Sequence, residues 1–198
     1  MKPTEILSSE HRVIEQVLKS LTKMVDQAEA AGRLDREPAQ DAVTFFRMFA
    51  DRCHHGKEEV HLFPAMEAKG FSPDCGPTAV MRYEHEQGRT HIAAMDAAID
   101  AAATGDRQAL EQFSQHARAY VAMLEEHIRK EDHCLFAMAD QAFSEQDQTA
   151  LLAKFHKVEA EEMGEGAHDK YLQIANALAD RYGVARVVTA GACCTCGH

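Results

Sequence analysis

The residues of this chain that are best suited to chemistry are histidines and carboxylates in a cluster that occurs twice. The stretch 54–63 reads HHGKEEVHLF and the stretch 127–136 reads HIRKEDHCLF, so the two align at a constant offset of 73 residues. A Glu-His pair also occurs twice, at 10–11 and at 84–85. Each half of the repeat therefore supplies one lone histidine and one His-x-x-x-Glu pair. Imidazole and carboxylate groups in such a two-fold arrangement are typical of a dinuclear metal site between helices.

Six residues are the candidate metal ligands, and helical spacing predicts that all of them face the protein interior. Each lies in a stripe of apolar residues that recur every three or four positions, which is the buried side of an amphipathic helix. The two side chains of a His-x-x-x-Glu pair lie one turn apart on the same face. An unpaired buried carboxylate costs on the order of several kcal/mol, so two of them call for a pair of cations. The predicted ligands are His11, His54, Glu58, His85, His127 and Glu131.

One ligand position is ambiguous in the sequence. His55 and Glu59 have the same i,i+4 spacing as the pair that begins at His54. We choose His54 because its pair matches the pair of the second half, which places Glu59 on a neighbouring face of the helix. Three other histidines are expected at the surface or behind the ligands: His61, His116 and His133.

Helices are the elements that must position these side chains. The composition favours helix, since the chain has no Trp, only 5 Pro, and long stretches rich in Ala, Glu, Leu, Met and Gln. Five helices are predicted, with Asp106 as the N-cap of the fourth and a capping box at Ser144 for the fifth. On the fourth helix the buried stripe is expected to continue from Glu131 to Cys134 and Met138. The predicted ranges are 3–31, 38–69, 78–104, 107–140 and 145–182.

Composition and charge argue against several classes of protein. The 198 residues are 45% hydrophobic, which is enough to bury the core of one domain. A net charge of -11 argues against nucleic acid or an anionic membrane as a partner. No apolar run approaches the roughly 20 residues that span a bilayer, and residues 1–5 lack the apolar stretch of a secretory signal. A cytoplasmic protein is therefore expected.

The order of the motifs resembles the hemerythrin-like family of cation-binding four-helix bundles. A lone histidine and a His-x-x-x-Glu pair are followed by a second lone histidine and a second pair, and the Lys-Glu-Glu/Asp and Leu-Phe context also agrees. The resemblance spans about residues 4–140. It implies an all-α, up-down-up-down four-helix bundle that holds two non-haem Fe ions, and His/Glu ligands would also accept Mn or Zn. The expected division is a bundle over 1–142, a fifth C-terminal helix packed on it over 143–183, and a short Cys-rich tail over 184–198.

The chain departs from the oxygen-carrying hemerythrins at one ligand position. Those proteins carry a fifth histidine one turn after the third-helix ligand, where this chain has Arg89. Its ligand set instead resembles bacterial di-iron proteins that respond to nitric oxide, and others linked to peroxide, which implies a role in oxidative or nitrosative stress. Fewer protein ligands leave metal positions open to water, O2, NO or peroxide.

Three residues are expected to support the ligands, and no catalytic residue is assigned. Glu15 and Arg89 lie one turn beyond the two lone histidines, where they would pair with each other or lie behind the ligands. Glu15 as a further ligand is the less favoured alternative. Tyr120 is expected either as a core residue with a satisfied hydroxyl or as a donor to a bound oxygen species.

Two functions of different classes fit such a site. The first is a redox enzyme that binds and reduces a small oxidant (NO, peroxide or O2) at an open di-iron site. The second is a non-catalytic iron or oxygen binding protein, which would act as a sensor, an iron donor or a store.

The C-terminal third carries two further groups of polar residues. In the fifth helix they recur at steps of three and drift around a 3.6-residue helix, so a solvated acidic face is favoured over a second metal site. The tail residues are either incidental thiols or an arm that exchanges metal or electrons with the centre. The helix residues are His156, Glu159, Glu162, Glu165 and His168, and the tail residues are Cys193, Cys194, Cys196 and His198.

Overall fold

The computed structural model describes residues 1–159 and 167–187, and the regular elements within these ranges are all helical. Three segments have the wider π-helical turn, and the rest are α-helices. The α-helices are α1 (Pro3–Ala31), α2 (Arg36–Phe45), α3 (Phe63–Glu67), α4 (Pro77–Ala103), α5 (Arg107–Lys130), α6 (Phe136–Ala142), α7 (Glu145–Val158) and α8 (Ala167–Tyr182). The π-helical segments are π1 (Phe46–His55), π2 (Glu58–Leu62) and π3 (Glu131–Leu135).

The helix ends follow the local chemistry of the sequence. Pro3 opens α1, and Gly32 closes it in the left-handed conformation at φ 69°, which a residue with a side chain rarely adopts. The side chain of Asp106 accepts hydrogen bonds from the backbone N–H groups of residues 108 and 109 at 2.9 and 3.0 Å. Ser144 and Asp147 form a reciprocal capping box at the start of α7. The predicted caps are therefore confirmed.

The π-helical segments lie inside the second and fourth predicted helices and shift the buried face by one residue. A π turn closes i→i+5 hydrogen bonds, so it holds one residue more than an α turn. After Glu131 the buried stripe consequently continues through Leu135 and Ala139. Cys134 and Met138 are exposed, so the prediction that they face the interior is wrong.

The helices pack around one interior. α4 packs against α5, α5 packs against α1, and α2 together with π1 packs against α4. The C-terminal helices cover this bundle, because α8 lies on α1 and α2 while α7 lies on α1 and π2. No helix in the described part of the chain has the length and apolarity to cross a membrane.

A layer of buried polar side chains divides the apolar interior into two hydrophobic clusters. Along α1, His11 lies between Leu7, which belongs to the smaller cluster, and Ile14, which belongs to the larger one. Along α5 and π3 the layer likewise lies between Leu124 of the larger cluster and Leu135 of the smaller one. Apolar packing on both sides therefore fixes the height at which the polar residues meet.

The predicted fifth helix is described as two helices, α7 and α8. His156 lies exposed in the last turn of α7. The predictions that concern Glu162, Glu165, the His168 side chain and the four tail residues of 193–198 fall outside the described residues.

Candidate metal centre

Seven buried side chains meet in two groups that share Glu58. In each group the potential ligand atoms all lie within 4.8 Å of one another. The structure thus brings together all six residues that the sequence singles out, and it adds one. The first group is His55, Glu58, His85 and His127, and the second is His11, His54, Glu58 and Glu131.

His55 is the member that the sequence-based choice left out. His54 and His55 are both buried, at 1% and 3% exposure, and both end π1. The two rings belong to different groups, so both are candidate ligands, and the repeat gave no reason to discard His55. The signal in the sequence was the pair of adjacent histidines, each with a glutamate four residues further on.

A carboxylate stands behind every one of the five imidazole rings. In each case Nδ1 donates to a carboxylate oxygen, so Nε2 is left to face the centre. This arrangement fixes both the tautomer and the orientation of the ring. The Nδ1–oxygen distances are 2.9 Å for His11–Asp132, 2.9 Å for His54–Glu10, 3.4 Å for His55–Asp51, 2.6 Å for His85–Glu59 and 2.9 Å for His127–Glu84.

Four of these five outer contacts obey the two-fold repeat of the sequence. The glutamate before each lone histidine binds the ring of the pair in its own half, so Glu10 holds His54 and Glu84 holds His127. The acid after each inner glutamate, Glu59 or Asp132, binds a lone histidine. The repeated Glu-His and Glu-Glu/Asp dipeptides therefore have a structural role that the sequence analysis missed.

The contact between His55 and Asp51 breaks the repeat. The positions 73 residues further along the chain are Ile128 and Leu124, which pack in the larger hydrophobic cluster. One half of the bundle consequently contributes two imidazoles from its His-x-x-x-Glu helix, and the other half contributes one.

Repeated phenylalanines shield the centre from one side. Phe136 stacks on the His11 ring at 5.4 Å between centroids, and Phe63 stacks on the His85 ring at 5.9 Å. Both phenylalanines are buried, at 5% and 0% exposure. The repeated Leu-Phe dipeptide thus places an aromatic wall against each lone histidine.

The inner carboxylates lie 3.2 to 3.4 Å from imidazole nitrogens but accept no hydrogen bond from the described residues. All four carboxylate oxygens of Glu58 and Glu131, and Nε2 of His11, are buried without a hydrogen bond from the described residues. Burial and the charge of Glu131 raise the pKa of Glu58 well above its ordinary value. Burial opposes ionisation of Glu131 too, but the imidazoles of His127 and His11 lower its pKa well below the ordinary value. Two buried, mutually repelling carboxylates among inward-facing nitrogens fit a pair of cations.

The pKa values of the imidazole rings also depend on burial and on the charges of neighbouring groups. Burial lowers the pKa of His54 to about 4. It also lowers the pKa of His85, helped by the neighbouring rings of His55 and His127. Burial opposes protonation of His127 as well, but the charge of Glu131 raises its pKa to about 9. Burial thus favours the neutral form of the His54 and His85 rings, which is the form that binds a metal.

The three residues expected behind the ligands take different places. Arg89 donates to Asp51 at 2.9 Å and to Glu59 at 2.8 Å, so it supports the carboxylates of two rings. Glu15 pairs with Arg12 at 3.0 Å instead of Arg89, and it belongs to neither ligand group.

Tyr120 lies fully buried beside the bundle interior. Its ring packs edge-on against Phe46 at 4.9 Å, and its hydroxyl has no hydrogen bond from the described residues. Burial raises the pKa of this phenol, so it stays a neutral donor. Tyr120 is thus a core tyrosine whose hydroxyl no described residue satisfies.

Three other described histidines, His61, His116 and His133, belong to neither group. His133 is exposed, His61 lies near the Phe155 ring at 6.5 Å, and His116 faces His91 with 3.0 Å between their Nδ1 atoms. These positions agree with the expectation that none of the three predicted surface histidines reaches the centre.

The fold and the site define a class of protein, the helical bundles that hold cations with buried histidines and carboxylates. The Hemerythrin HHE cation binding domain matches residues 2–139, well over half of the chain, and the chain belongs to this family. It is 27% identical over 178 residues to an uncharacterized protein of Mycobacterium bovis and, to the same extent, to one of Mycobacterium tuberculosis. The alignment covers 88% of this chain and 69% of each relative. No solved structure matches the chain significantly.

Proposed function

We propose that this chain is a non-haem di-iron protein that binds and reduces a small oxidant, namely NO, peroxide or O2. The observation that carries the proposal is the set of buried, unpartnered carboxylate oxygens of Glu58 and Glu131 among five inward-facing imidazoles. One iron would be held by His55, His85 and His127 and the other by His11, His54 and Glu131, with Glu58 shared. Imidazole and carboxylate donors suit iron, and they also suit Mn or Zn.

Open metal positions support reaction with a small molecule. Five imidazoles and two carboxylates cannot fill the roughly twelve positions of two octahedral ions. The group that contains His11 and His54 has two imidazoles, whereas the other group has three. Both groups have four protein ligands, so exogenous ligands are expected to complete the coordination at the two ions. Iron in such a site supplies a reversible change between the ferrous and ferric states.

The protein residues orient the ligand rings, keep water away from the centre and balance its charge. Outer carboxylates hold each ring through Nδ1, and Phe63 and Phe136 keep solvent away from two of the rings. Tyr120 carries a buried hydroxyl that can donate a hydrogen bond to a small ligand in the interior.

We also propose that the four main helical segments follow one another in up-down-up-down order. These segments are α1, α2 to α3, α4, and α5 to α6. Residues 32–35 join α1 to α2, and residues 104–106 join α4 to α5. Connections this short favour antiparallel neighbours.

Metal content and turnover test the proposed function. About two Fe per chain in the purified protein, with consumption of many equivalents of peroxide or NO while a separate electron donor re-reduces the iron, would support it. Glu131→Ala should abolish consumption, while the exposed control His133→Gln should retain it. A single stoichiometric and reversible change would favour the non-catalytic binding protein. A folded bundle that takes up no iron would refute the proposal.

Exchange of metal or electrons through the tail thiols is a second part of the proposal. After α8 the chain turns back along α1, because Lys23 donates to the Gly183 carbonyl at 3.0 Å and the Val187 N–H donates to the Gln16 side chain at 2.6 Å. Residues 183–187 thus run towards His11, which lies about 7–8 Å from Gln16 along the axis of α1. Six residues from Val187 to the first tail cysteine can span roughly 20 Å, enough to reach the centre.

A metal-transfer experiment tests the role of the tail. The metal-free chain would be loaded with iron or zinc from a weak chelator, and the rate compared with that of a variant in which Cys193, Cys194 and Cys196 are all serine. Slower loading is expected. Cys134→Ser removes an exposed thiol elsewhere and should load at the rate of the unmodified chain. Equal rates for all three proteins would exclude transfer through the tail.

A further inference from the structure

Lys57 carries an amino group that is completely buried beside the candidate metal centre. Its side chain has 0% exposure and lies against the Phe155 ring of α7, 5.9 Å from the ring centroid. Two carboxylates hold its ammonium group, that of Glu10 and that of Glu159 at 2.6 Å. A buried ammonium is stable only when it is paired, so both carboxylates matter to its position.

The contacts of Lys57 connect α7 to a candidate ligand. Glu159 follows the last residue of α7 and binds Lys57. Lys57 binds one oxygen of Glu10, and the other oxygen of Glu10 accepts from Nδ1 of His54 at 2.9 Å. Nε2 of the same ring lies 3.4 Å from Glu58. Glu159 thus reaches the centre through a continuous series of polar contacts, although it lies outside residues 2–139 that match the family.

The second half of the repeat shows the same arrangement without α7. Lys130 corresponds to Lys57 and pairs with Glu84, which holds His127 as Glu10 holds His54. The side chain of Lys130 is 33% exposed, so water can solvate its ammonium group. The difference between the two lysines is that α7 covers Lys57 and supplies it with a second carboxylate.

We propose that Glu159 is a positioning residue that sets the affinity of the centre for the cation held by His11 and His54. Without its carboxylate the Lys57 ammonium must turn towards water, and it draws Glu10 away from the His54 ring. Loss of a carboxylate that directly orients a metal-bound histidine, as Glu10 does, lowers metal affinity by about 10- to 100-fold, so this range is the upper limit for Glu159. This inference rests on the proposed function only in requiring that the two groups hold cations.

A two-site titration of the full chain tests the inference. The metal-free wild type and Glu159→Gln would be titrated with Co(II) under anaerobic conditions, with calorimetry and visible absorption as readouts. The variant should bind one of two cations more weakly, by up to about 10- to 100-fold, and the other unchanged. Glu159→Asp keeps the charge and should recover part of the loss. Glu125→Gln changes an exposed glutamate on α5 and should bind as the wild type does.

The outcomes separate this inference from the proposed function. Equal weakening of both cations, together with a lower melting temperature of the metal-free variant, would show a merely structural role and overturn the inference. Unchanged binding of both cations by Glu159→Gln would overturn it as well and leave the proposed function intact. A wild type that binds no cation would overturn both. Turnover enters none of these comparisons, so a chain that binds two cations without catalysis can still support the role of Glu159.

Discussion

Replacement of His55 by leucine is the most direct test of how the centre is built. Leucine has a volume close to that of histidine, so the substitution removes a donor nitrogen while the packing stays filled. The carboxylate behind the ring keeps a partner, because Arg89 donates to Asp51 at 2.9 Å. The variant should therefore change metal binding much more than it changes the fold.

The expected magnitude follows from the number of imidazoles in each group. His55 is one of three imidazoles in the group that contains His85 and His127. Loss of an outer partner of a ligand already costs about 10- to 100-fold in metal affinity, so loss of the donor itself should cost about 100-fold or more. A hundredfold loss corresponds to about 2.8 kcal/mol. The free energy of unfolding of the metal-free chain should change by less than about 1.5 kcal/mol.

Titration of the metal-free protein with Co(II) or Zn(II), combined with urea denaturation, measures both quantities. His55→Leu should retain one cation of wild-type affinity and bind the second weakly, whereas His54→Leu should weaken the other position. His133→Leu provides the control, since that ring is exposed in π3. If His55→Leu still binds two cations as tightly as the wild type, the ring is no ligand and the sequence-based choice of His54 alone was sufficient.

Three further predictions concern stability. Asp106→Ala removes the N-cap of α5 and should lower the free energy of unfolding by about 1 kcal/mol in urea denaturation; an unchanged midpoint would contradict the cap. Gly88→Ala should raise the melting temperature, because alanine favours helix by about 1 kcal/mol and its methyl group would meet Tyr120 and Met123 at 3.4 Å, an ordinary contact. A lower melting temperature would mean that these side chains cannot accommodate it. Removal of bound metal by a chelator should lower the melting temperature, since a cation at a hundredfold excess over its Kd stabilises the native state by about 2.7 kcal/mol.

The sequence predicted the features that depend on local chemistry. α1 spans the predicted residues 3–31 because a proline suits its first turn and Gly32 takes the left-handed conformation that ends it. The apolar stripes of α1 and α4 are buried as the 3.6-residue period requires. In these helices each residue is placed by its neighbours along the chain, so the pattern contains the information.

The π-helical turns could not be predicted from the local sequence. An i→i+5 turn is intrinsically rare, and its presence depends on the packing of the whole bundle. No residue of π1 or π3 indicates it locally, yet it decides that His55 faces the centre and that Cys134 faces solvent. A prediction that assumes about 3.6 residues per turn throughout assigns the wrong residues to the buried face after a π-helical turn. The wrong predictions for Cys134 and Met138 have this cause.

The outer carboxylates were accessible from the sequence but were assigned no role. Glu10 and Glu84 belong to the same repeated dipeptides as His11 and His85, and a repeat that preserves a charged residue beside a ligand calls for a physical reason. The reason is that a buried imidazole needs an acceptor for its second nitrogen if the first is to face a metal. Counting one acceptor per ligand histidine would have found four of the five.

Departures from the repeat are what distinguish the two halves of the centre. A strictly duplicated bundle would give two cations the same surroundings and no reason to react differently. Here His55 adds a third imidazole to one group, and Glu159 reaches the other group through a lysine that α7 has buried. Each group has four protein ligands, but one has three imidazoles and the other is linked through Lys57 to a helix beyond the family domain. If Glu159 has the proposed role, the affinity of one position depends on the contact between Lys57 and Glu159, whereas that of the other does not.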